Sequence, residues 1–251
     1  MEYRDLIVKK ERGLATLALN RPQIMNALSP ALLSEIKLAF EHLAVDDEAR
    51  VLAITGAGKA FSAGADLNAL GAGPLENGRV GAAIDKAAND LIATIMALPK
   101  VVIAAVNGHC YTGALEIALA CDLIIAGNSA RFGDTHVRWG IRPSWGMSQR
   151  LPRRVGWLKA KELSFTARII AASEAEDIGL INRAVPDDRL AAEVAELAAQ
   201  IMTNSLEAIS AYKDLYNRGM LLSLEEGLRL EAGSDFLIRD TQARIDSFRK
   251  K

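Results

Sequence analysis

The chain is poor in cysteine, histidine, proline and aromatic residues. Of its 251 residues, 2 are Cys and 3 are His, and aromatic residues make up 5%. The two cysteines, Cys110 and Cys121, cannot build a disulfide framework or a zinc spacing, and they fit a reducing, cytoplasmic setting. His42, His109 and His136 stand far apart, none with a second ligand type at metal spacing, so no metal site is expected. An excess of one charge is also missing. The 30 Lys+Arg oppose 31 Asp+Glu for a formal net charge of −1, which argues against a nucleic-acid partner and a polybasic membrane-surface protein. The longest apolar runs, such as Val101 to Val106, are far too short to span a bilayer, so no membrane partner is expected. Met1-Glu2-Tyr3-Arg4-Asp5 is too polar for a signal peptide. There is no internal repeat, coiled-coil heptad or low-complexity tract. What remains is 50% hydrophobic and 24% charged, a globular composition long enough to bury an ample core.

Leu6 to Lys10 and Leu14 to Leu19 read as strands turned at Glu11-Arg12-Gly13. Ser29-Pro30 opens a helix: Ser suits the N-cap, and the N–H that Pro lacks is not needed in the first turn. Leu32, Leu33, Ile36, Phe40 and Leu43 form its apolar stripe. Val51 to Thr55, Val101 to Val106 and Leu123 to Ala126 are short apolar strands of the kind buried on both faces. Helices are expected over about Gly81 to Leu98 and Gly113 to Ala120, with loops over Gly71 to Gly78 and Gly140 to Gly146. This alternation predicts an α/β core. After Val185-Pro186 only helical patterns remain: Asp187 to Ile201, Leu206 to Tyr216, Leu224 to Asp235 and Asp240 to Phe248. The expected division is a core over 1–195 and a helical region over 196–251 that packs on the core or reaches a neighbouring subunit.

Three phosphate or nucleophile motifs fail. A dinucleotide fingerprint beginning at Gly56 needs a third glycine where Phe61 stands. A P-loop needs Ser or Thr after Gly58-Lys59, and Ala60 follows. A nucleophile elbow around Ser62 needs glycine at position 60. Two small-residue loops remain, each following a strand: Ser62-Ala63-Gly64-Ala65-Asp66, and Gly108 to Glu116. The second opens a helix, whose first turn offers free N–H groups and the positive end of a dipole. These are either ordinary turns or two backbone donors that share one ligand oxygen. In such an oxyanion hole each donor is worth about 3 kcal/mol of transition-state stabilisation.

At these loops the chain closely resembles the crotonase family, the enoyl-CoA hydratase/isomerase superfamily. The likeness runs through Leu19-Asn20-Arg21-Pro22 with Asn26-Ala27-Leu28, then Gly58 to Leu67. Ala105-Val106-Asn107-Gly108 through Gly113 and Glu116, Ala120-Cys121-Asp122-Leu123, Phe132-Gly133, Gly140-Ile141-Arg142-Pro143 and Gln149-Arg150-Leu151 continue it. The resemblance implies an α/β spiral of ββα repeats followed by a helical trimerisation region. It implies acyl-CoA thioester chemistry with no cofactor besides the CoA of the substrate, and a homo-oligomer, trimer or dimer of trimers. Ala65 and Gly113 match the oxyanion hole. Arg21, Gln23, Met25 and Ala27, with Ala63, Asp66 and Leu67, match CoA-binding stretches. Phe248 and Lys251 match C-terminal residues that lie near the CoA of an adjacent subunit in some members.

Glu116 matches one of the two hydratase glutamates, the one that helps hold and activate water. Without the resemblance it reads as a helix-start carboxylate favoured by about 0.3–1 kcal/mol. The second glutamate is due four residues after Phe132, where this chain has His136. Histidine can move protons near neutral pH, or it can simply line a pocket. Asp134 reads as a second candidate acid or a loop carboxylate. Tyr111 and Thr112 replace part of a glycine-rich run and are expected to reshape the acyl pocket, with Trp139 and Trp145 as candidate walls. The reading is an enoyl-CoA hydratase that adds water reversibly to a trans-2-enoyl-CoA, with Glu116 and His136 as the proton movers. The alternatives are an isomerase, another acyl-CoA lyase or thioester hydrolase, or a low-activity acyl-CoA-binding protein.

Overall fold

The computed structural model describes residues 3–70 and 77–250. Strands β1 (Leu6–Glu11) and β2 (Leu14–Leu19) form an antiparallel hairpin. Ala15, Leu17 and Leu19 alternate inward on β2, as a strand with one face on a core requires. Helix α1 (Pro30–Ala44) begins where expected, with the Ser29 Oγ accepting from the Leu32 N–H at 3.1 Å. Its whole expected stripe is buried.

The chain then repeats one manoeuvre. A long strand of one sheet is followed by a short strand of a second sheet, and then by helix. The first turn is β3 (Val51–Gly56), β4 (Ala60–Ser62) and α2 (Ala82–Ala97). The second is β5 (Val102–Val106), β6 (His109–Tyr111) and α3 (Gly113–Ala120). The third is β7 (Leu123–Gly127), β8 (Arg131–Gly133) and, after a loop, α4 (Met147–Val155) and α5 (Trp157–Thr166). Then come β9 (Ile170–Ala171), α6 (Ala172–Asp177) and β10 (Arg183–Val185). The long strands enter one sheet in the order β1-β2-β3-β5-β7-β10, parallel from β2 onward, and the short ones form a second sheet, β4-β6-β8-β9. This is the ββα spiral. It has no fixed sequence period because its turns begin at residues 51, 102 and 123.

Strands β3, β5 and β7 are covered on both faces. Leu17, Leu52, Ile54, Val102 and Ala104 pack with Ile36, Phe40, Leu91 and Ile117 from α1, α2 and α3. Val51, Ala53, Ile103 and Ile125 face Leu190, Val194 and Ala198 of α7 (Leu190–Met202). Double burial is why these strands read as unbroken apolar runs. The sequence-based edge at 195/196 falls inside α7.

Helices α8 (Leu206–Gly219), α9 (Leu224–Gly233) and α10 (Thr241–Arg249) follow. Helix α8 is tied to the core by buried Lys213, whose Nζ donates to the Ile95 and Lys100 carbonyls at 3.0 Å each and to Asp122 Oδ2 at 2.8 Å. Helices α9 and α10 bury no residue, and Leu221, Leu224, Leu237 and Phe248 stand in the open. No described helix is long and apolar enough to cross a membrane. The expected loop at Gly71 to Gly78 lies mostly outside the described residues.

Candidate active site

Beyond β4, residues 63–66 run beside residues 25–28. The Ala63 N–H donates to the Met25 carbonyl at 2.9 Å, the Leu28 N–H to Gly64 O at 2.8 Å, and the Asp66 N–H to Leu28 O at 2.9 Å. Leu28 and Ala65 thus form a parallel bridge. Successive peptide groups of an extended chain face opposite ways. With Gly64 O and Asp66 N–H turned to Leu28, the Ala65 N–H turns away. Among the described residues it has no acceptor.

The neighbouring 111–113 segment meets this loop at Gly64. A Cβ on Gly64 (φ +95°) would fall 2.2 Å from Thr112 Oγ1, 2.9 Å from Tyr111 O and 3.5 Å from Gly113 N. Only glycine permits both that φ and that approach. Gly113 opens α3, and its N–H also lacks an acceptor among the described residues. Ala65 and Gly113 line one cavity of ≈ 220 Å³ with Glu116, His136, Trp139 and Trp145. A larger cavity, ≈ 480 Å³ between α3, α4 and α8, contains none of these residues.

Glu116 projects from the first turn of α3, a helix buried along its whole length. Its Oε1 accepts from the Trp145 N–H at 3.0 Å and the Met147 N–H at 2.8 Å. Its Oε2 lies 3.6 Å from His136 Nε2. Burial pushes the Glu116 carboxyl up to about 7, while the imidazole charge and the two N–H donors hold it down. A carboxyl poised there can take or give a proton near neutrality.

His136 starts the 3₁₀ turn His136–Trp139 after β8. Its Nδ1 sits 2.6 Å from Asp134 Oδ1, and Asp134 Oδ2 accepts from the Ser164 Oγ of α5 at 2.7 Å. Burial alone would lower the His136 pKa. The Asp134 hydrogen bond and the Glu116 and Asp134 charges overcome it and hold the imidazole above its usual value. Burial would raise Asp134, but hydrogen bonds from His136 and Ser164 keep its carboxyl below the usual carboxylate range.

The two stretches matched to CoA binding come together. Arg21 Nη1 donates to Ala27 O at 2.6 Å, and its Nη2 lies 3.1 Å from Asp66 Oδ2. Buried Asn26 accepts from the Arg21 N–H at 2.9 Å and donates to Ala57 O and Ala60 O at 2.9 and 2.7 Å. Gln23 and Met25 are exposed beside them, and Leu67 lines the cavity. Tyr111 does not line it; its hydroxyl pairs with His109 Nδ1 at 2.7 Å. Phe248 lies on the exposed face of α10 and does not line the cavity either. Lys251 is outside the described residues.

Sequence reasoning missed Asp85 and Ser164. Asp85 Oδ1 accepts from the Trp145 Nε1 at 2.8 Å and the Ser144 hydroxyl at 2.7 Å. That fixes the Trp145 ring against Gly113, where an added Cβ would meet the ring at 2.2 Å. Neither residue carries a motif, and their partners lie far along the chain.

A family model described as enoyl-CoA hydratase/isomerase matches residues 9–244. A crotonyl-CoA hydratase from Syntrophomonas wolfei is 39% identical, with 100% of this chain and 97% of the relative covered. A short-chain-enoyl-CoA hydratase from Clostridium acetobutylicum is 37% identical over the same shares. The crystal structure of an enoyl-CoA hydratase from Bacillus anthracis superposes with a TM-score of 0.86 at 37% identity, over 92% of this chain and 89% of that one. The spiral, the paired loops and these matches agree: the chain belongs to the enoyl-CoA hydratase/isomerase family.

Proposed function

We propose that this protein adds water reversibly to a trans-2-enoyl-CoA with a short acyl chain. The observation that carries the reading is the 3.6 Å approach of Glu116 Oε2 to His136 Nε2 in a cavity that Ala65 and Gly113 also line. The thioester oxygen accepts from the Ala65 and Gly113 N–H groups. Glu116 Oε2 takes a proton from water as the water oxygen bonds to Cβ. The double-bond electrons move toward Cα and the carbonyl, and the two N–H groups stabilise the resulting enolate by about 3 kcal/mol each. His136 Nε2 then gives its proton to Cα. The proton left on Glu116 crosses to Nε2 and restores the resting state. The charge is held by main-chain donors and the protons by side chains, so the sequence of steps requires no metal or redox group.

The Arg21 to Ala27 and Ala63 to Leu67 stretches hold the CoA portion in this reading. Val80, Ile141, Trp139 and Trp145 wall the acyl end of a cavity of ≈ 220 Å³, which suits a short chain, and two relatives are named for crotonyl-CoA and short-chain substrates. The open apolar side chains of the helices after α7 support a homo-oligomer, trimer or dimer of trimers, in which residues 196–251 make the contacts and Phe248 comes near a neighbour's CoA. Two buried free thiols suit a reducing cytoplasm. An isomerase moves one proton between carbons with a single base; two facing proton carriers favour hydration.

The test is loss of enoyl absorbance when purified protein meets crotonyl-CoA. Glu116→Gln is expected to cut kcat by ~100-fold or more with KM nearly unchanged. Tight binding of crotonyl-CoA without turnover would instead make the protein an acyl-CoA-binding protein. Full turnover in Glu116→Gln would remove Glu116 from the mechanism.

A further inference from the structure

We infer that Asp134 and Ser164 are positioning residues, a buried brace that holds the His136 ring with a proton on Nδ1 and Nε2 turned to Glu116. The inference deepens the hydration reading and rests on it for its kinetic consequence, though not for its geometry.

Asp134 is 4% exposed and does not line the cavity, so it lies behind His136 and does not reach a substrate there. Its two oxygens are used differently. Oδ1 meets His136 Nδ1 at 2.6 Å and the His136 backbone N–H at 3.4 Å, and Oδ2 accepts from Ser164 Oγ at 2.7 Å. An ionised carboxylate can only accept. Nδ1 must therefore carry hydrogen, and Nε2 is left as the nitrogen that gains and loses a proton. Among the described residues, the charged groups that pair with the ring are Asp134 behind it and Glu116 of α3 in front, and Arg142 lines the same cavity. Arg138, on the same turn, is turned to the Ala167 carbonyl. Ser164 contributes from α5, 30 residues away, so the brace ties two elements together.

The brace has a chemical purpose. A free imidazole divides its proton between two nitrogens and can turn over. Here the ring cannot offer the wrong nitrogen to Cα without breaking a short charge-assisted hydrogen bond. The carboxylate behind it also stabilises the imidazolium, the form that donates. An imidazole with such a partner can occupy the place of a second carboxylate as a proton donor, whereas burial without that partner favours the neutral ring.

The test uses the full-length protein. Asp134→Asn is expected to lower kcat about 100-fold with the KM for crotonyl-CoA within twofold of wild type, and to move the alkaline limb of the pH profile to lower pH. Asp134→Glu should restore part of the rate and of the limb. Ser164→Ala, which keeps the carboxylate, should cost only a few-fold in kcat. A purely structural carboxylate would lower Tm and leave the limb in place, and that outcome overturns the inference. A readout without turnover separates it from the hydration reading. Histidine-labelled protein, with His136 assigned through His136→Gln, should show a strongly downfield Nδ1–H proton that disappears in Asp134→Asn. If that signal is present and enoyl-CoA is untouched, hydration fails and the brace stands. If Nδ1 carries no proton in wild type, the brace fails whatever the activity.

Discussion

The cavity has two walls made by different means. On one, the groups proposed to meet the thioester oxygen are main-chain N–H groups, those of Ala65 and Gly113, set by a parallel bridge and by glycines that leave no room for a side chain. On the other, the groups are side chains, Glu116 and His136: Glu116 accepts from the Trp145 and Met147 N–H groups, and His136 donates to the Asp134 carboxylate. The first wall cannot change residue without changing backbone path. The second keeps its frame while its chemistry is exchanged. That is why an imidazole with its own carboxylate can stand where the crotonase resemblance leads one to expect a glutamate.

The sharpest way to break that contrast is to put a methyl on the main-chain wall. Gly64→Ala must hold alanine at φ +95° with its Cβ 2.2 Å from Thr112 Oγ1 and 2.9 Å from a backbone carbonyl. Gly113→Ala must displace the Trp145 ring, 2.2 Å from the new atom. Each is expected to lower kcat on crotonyl-CoA by roughly 10²- to 10³-fold, the effect of losing one oxyanion donor. Circular dichroism and Tm show whether the fold persists. Near-normal turnover in a folded Gly64→Ala protein would mean that the stabilising donors are elsewhere.

The side-chain wall is tested by pH. In the proposed hydration Glu116 acts ionised, and burial has pushed its carboxyl up to about 7, so kcat/KM should fall as pH drops below that value. The same step needs His136 protonated, and its pKa is raised, so the rate should also fall on the alkaline side above the usual imidazole range. The profile is a bell that changes about tenfold per pH unit on each limb. Its two apparent values belong to the pair, because the groups lie 3.6 Å apart and compete for one proton. A flat profile between pH 5 and 9 would show that these groups do not carry the protons.

Legibility in the sequence follows the same division. Helix α1 was plain because a Ser-Pro start and a 3.6-residue stripe are local signals. The loops at Gly64 and Gly113 were visible as places where backbone comes close, although two donors sharing one oxygen could not be told from ordinary turns without the family resemblance. The second sheet was invisible: β4, β6 and β8 are three residues each, too short for any alternation to register. Helices α4 to α6 also escaped, interrupted as they are by Pro152, Gly156 and a loop. Asp134 reads from the sequence as a possible acid, but its role depends on Ser164, and the seat of Trp145 depends on Asp85, 60 positions earlier. Contacts of that kind arise only when the spiral closes.

The smallest effect separates strain from geometry within the main-chain wall itself. Thr112 sits at φ +46° and ψ −114°, a conformation that a β-branched residue rarely takes, at the junction between β6 and α3. Its side chain makes no hydrogen bond among the described residues. Such a conformation costs on the order of 1–3 kcal/mol. Glycine would adopt it freely, but it would add up to about 1 kcal/mol of unfolded-state entropy. Thr112→Gly should therefore gain about 1 kcal/mol, seen as a rise in Tm of about 2–4 °C. If the strain only records the path that brings Gly113 to the cavity, turnover should stay within a few-fold of wild type. If turnover falls as far as in Gly64→Ala while Tm rises, the strained threonine is itself what holds the Gly113 N–H in line. The main-chain wall would then depend on a side chain after all.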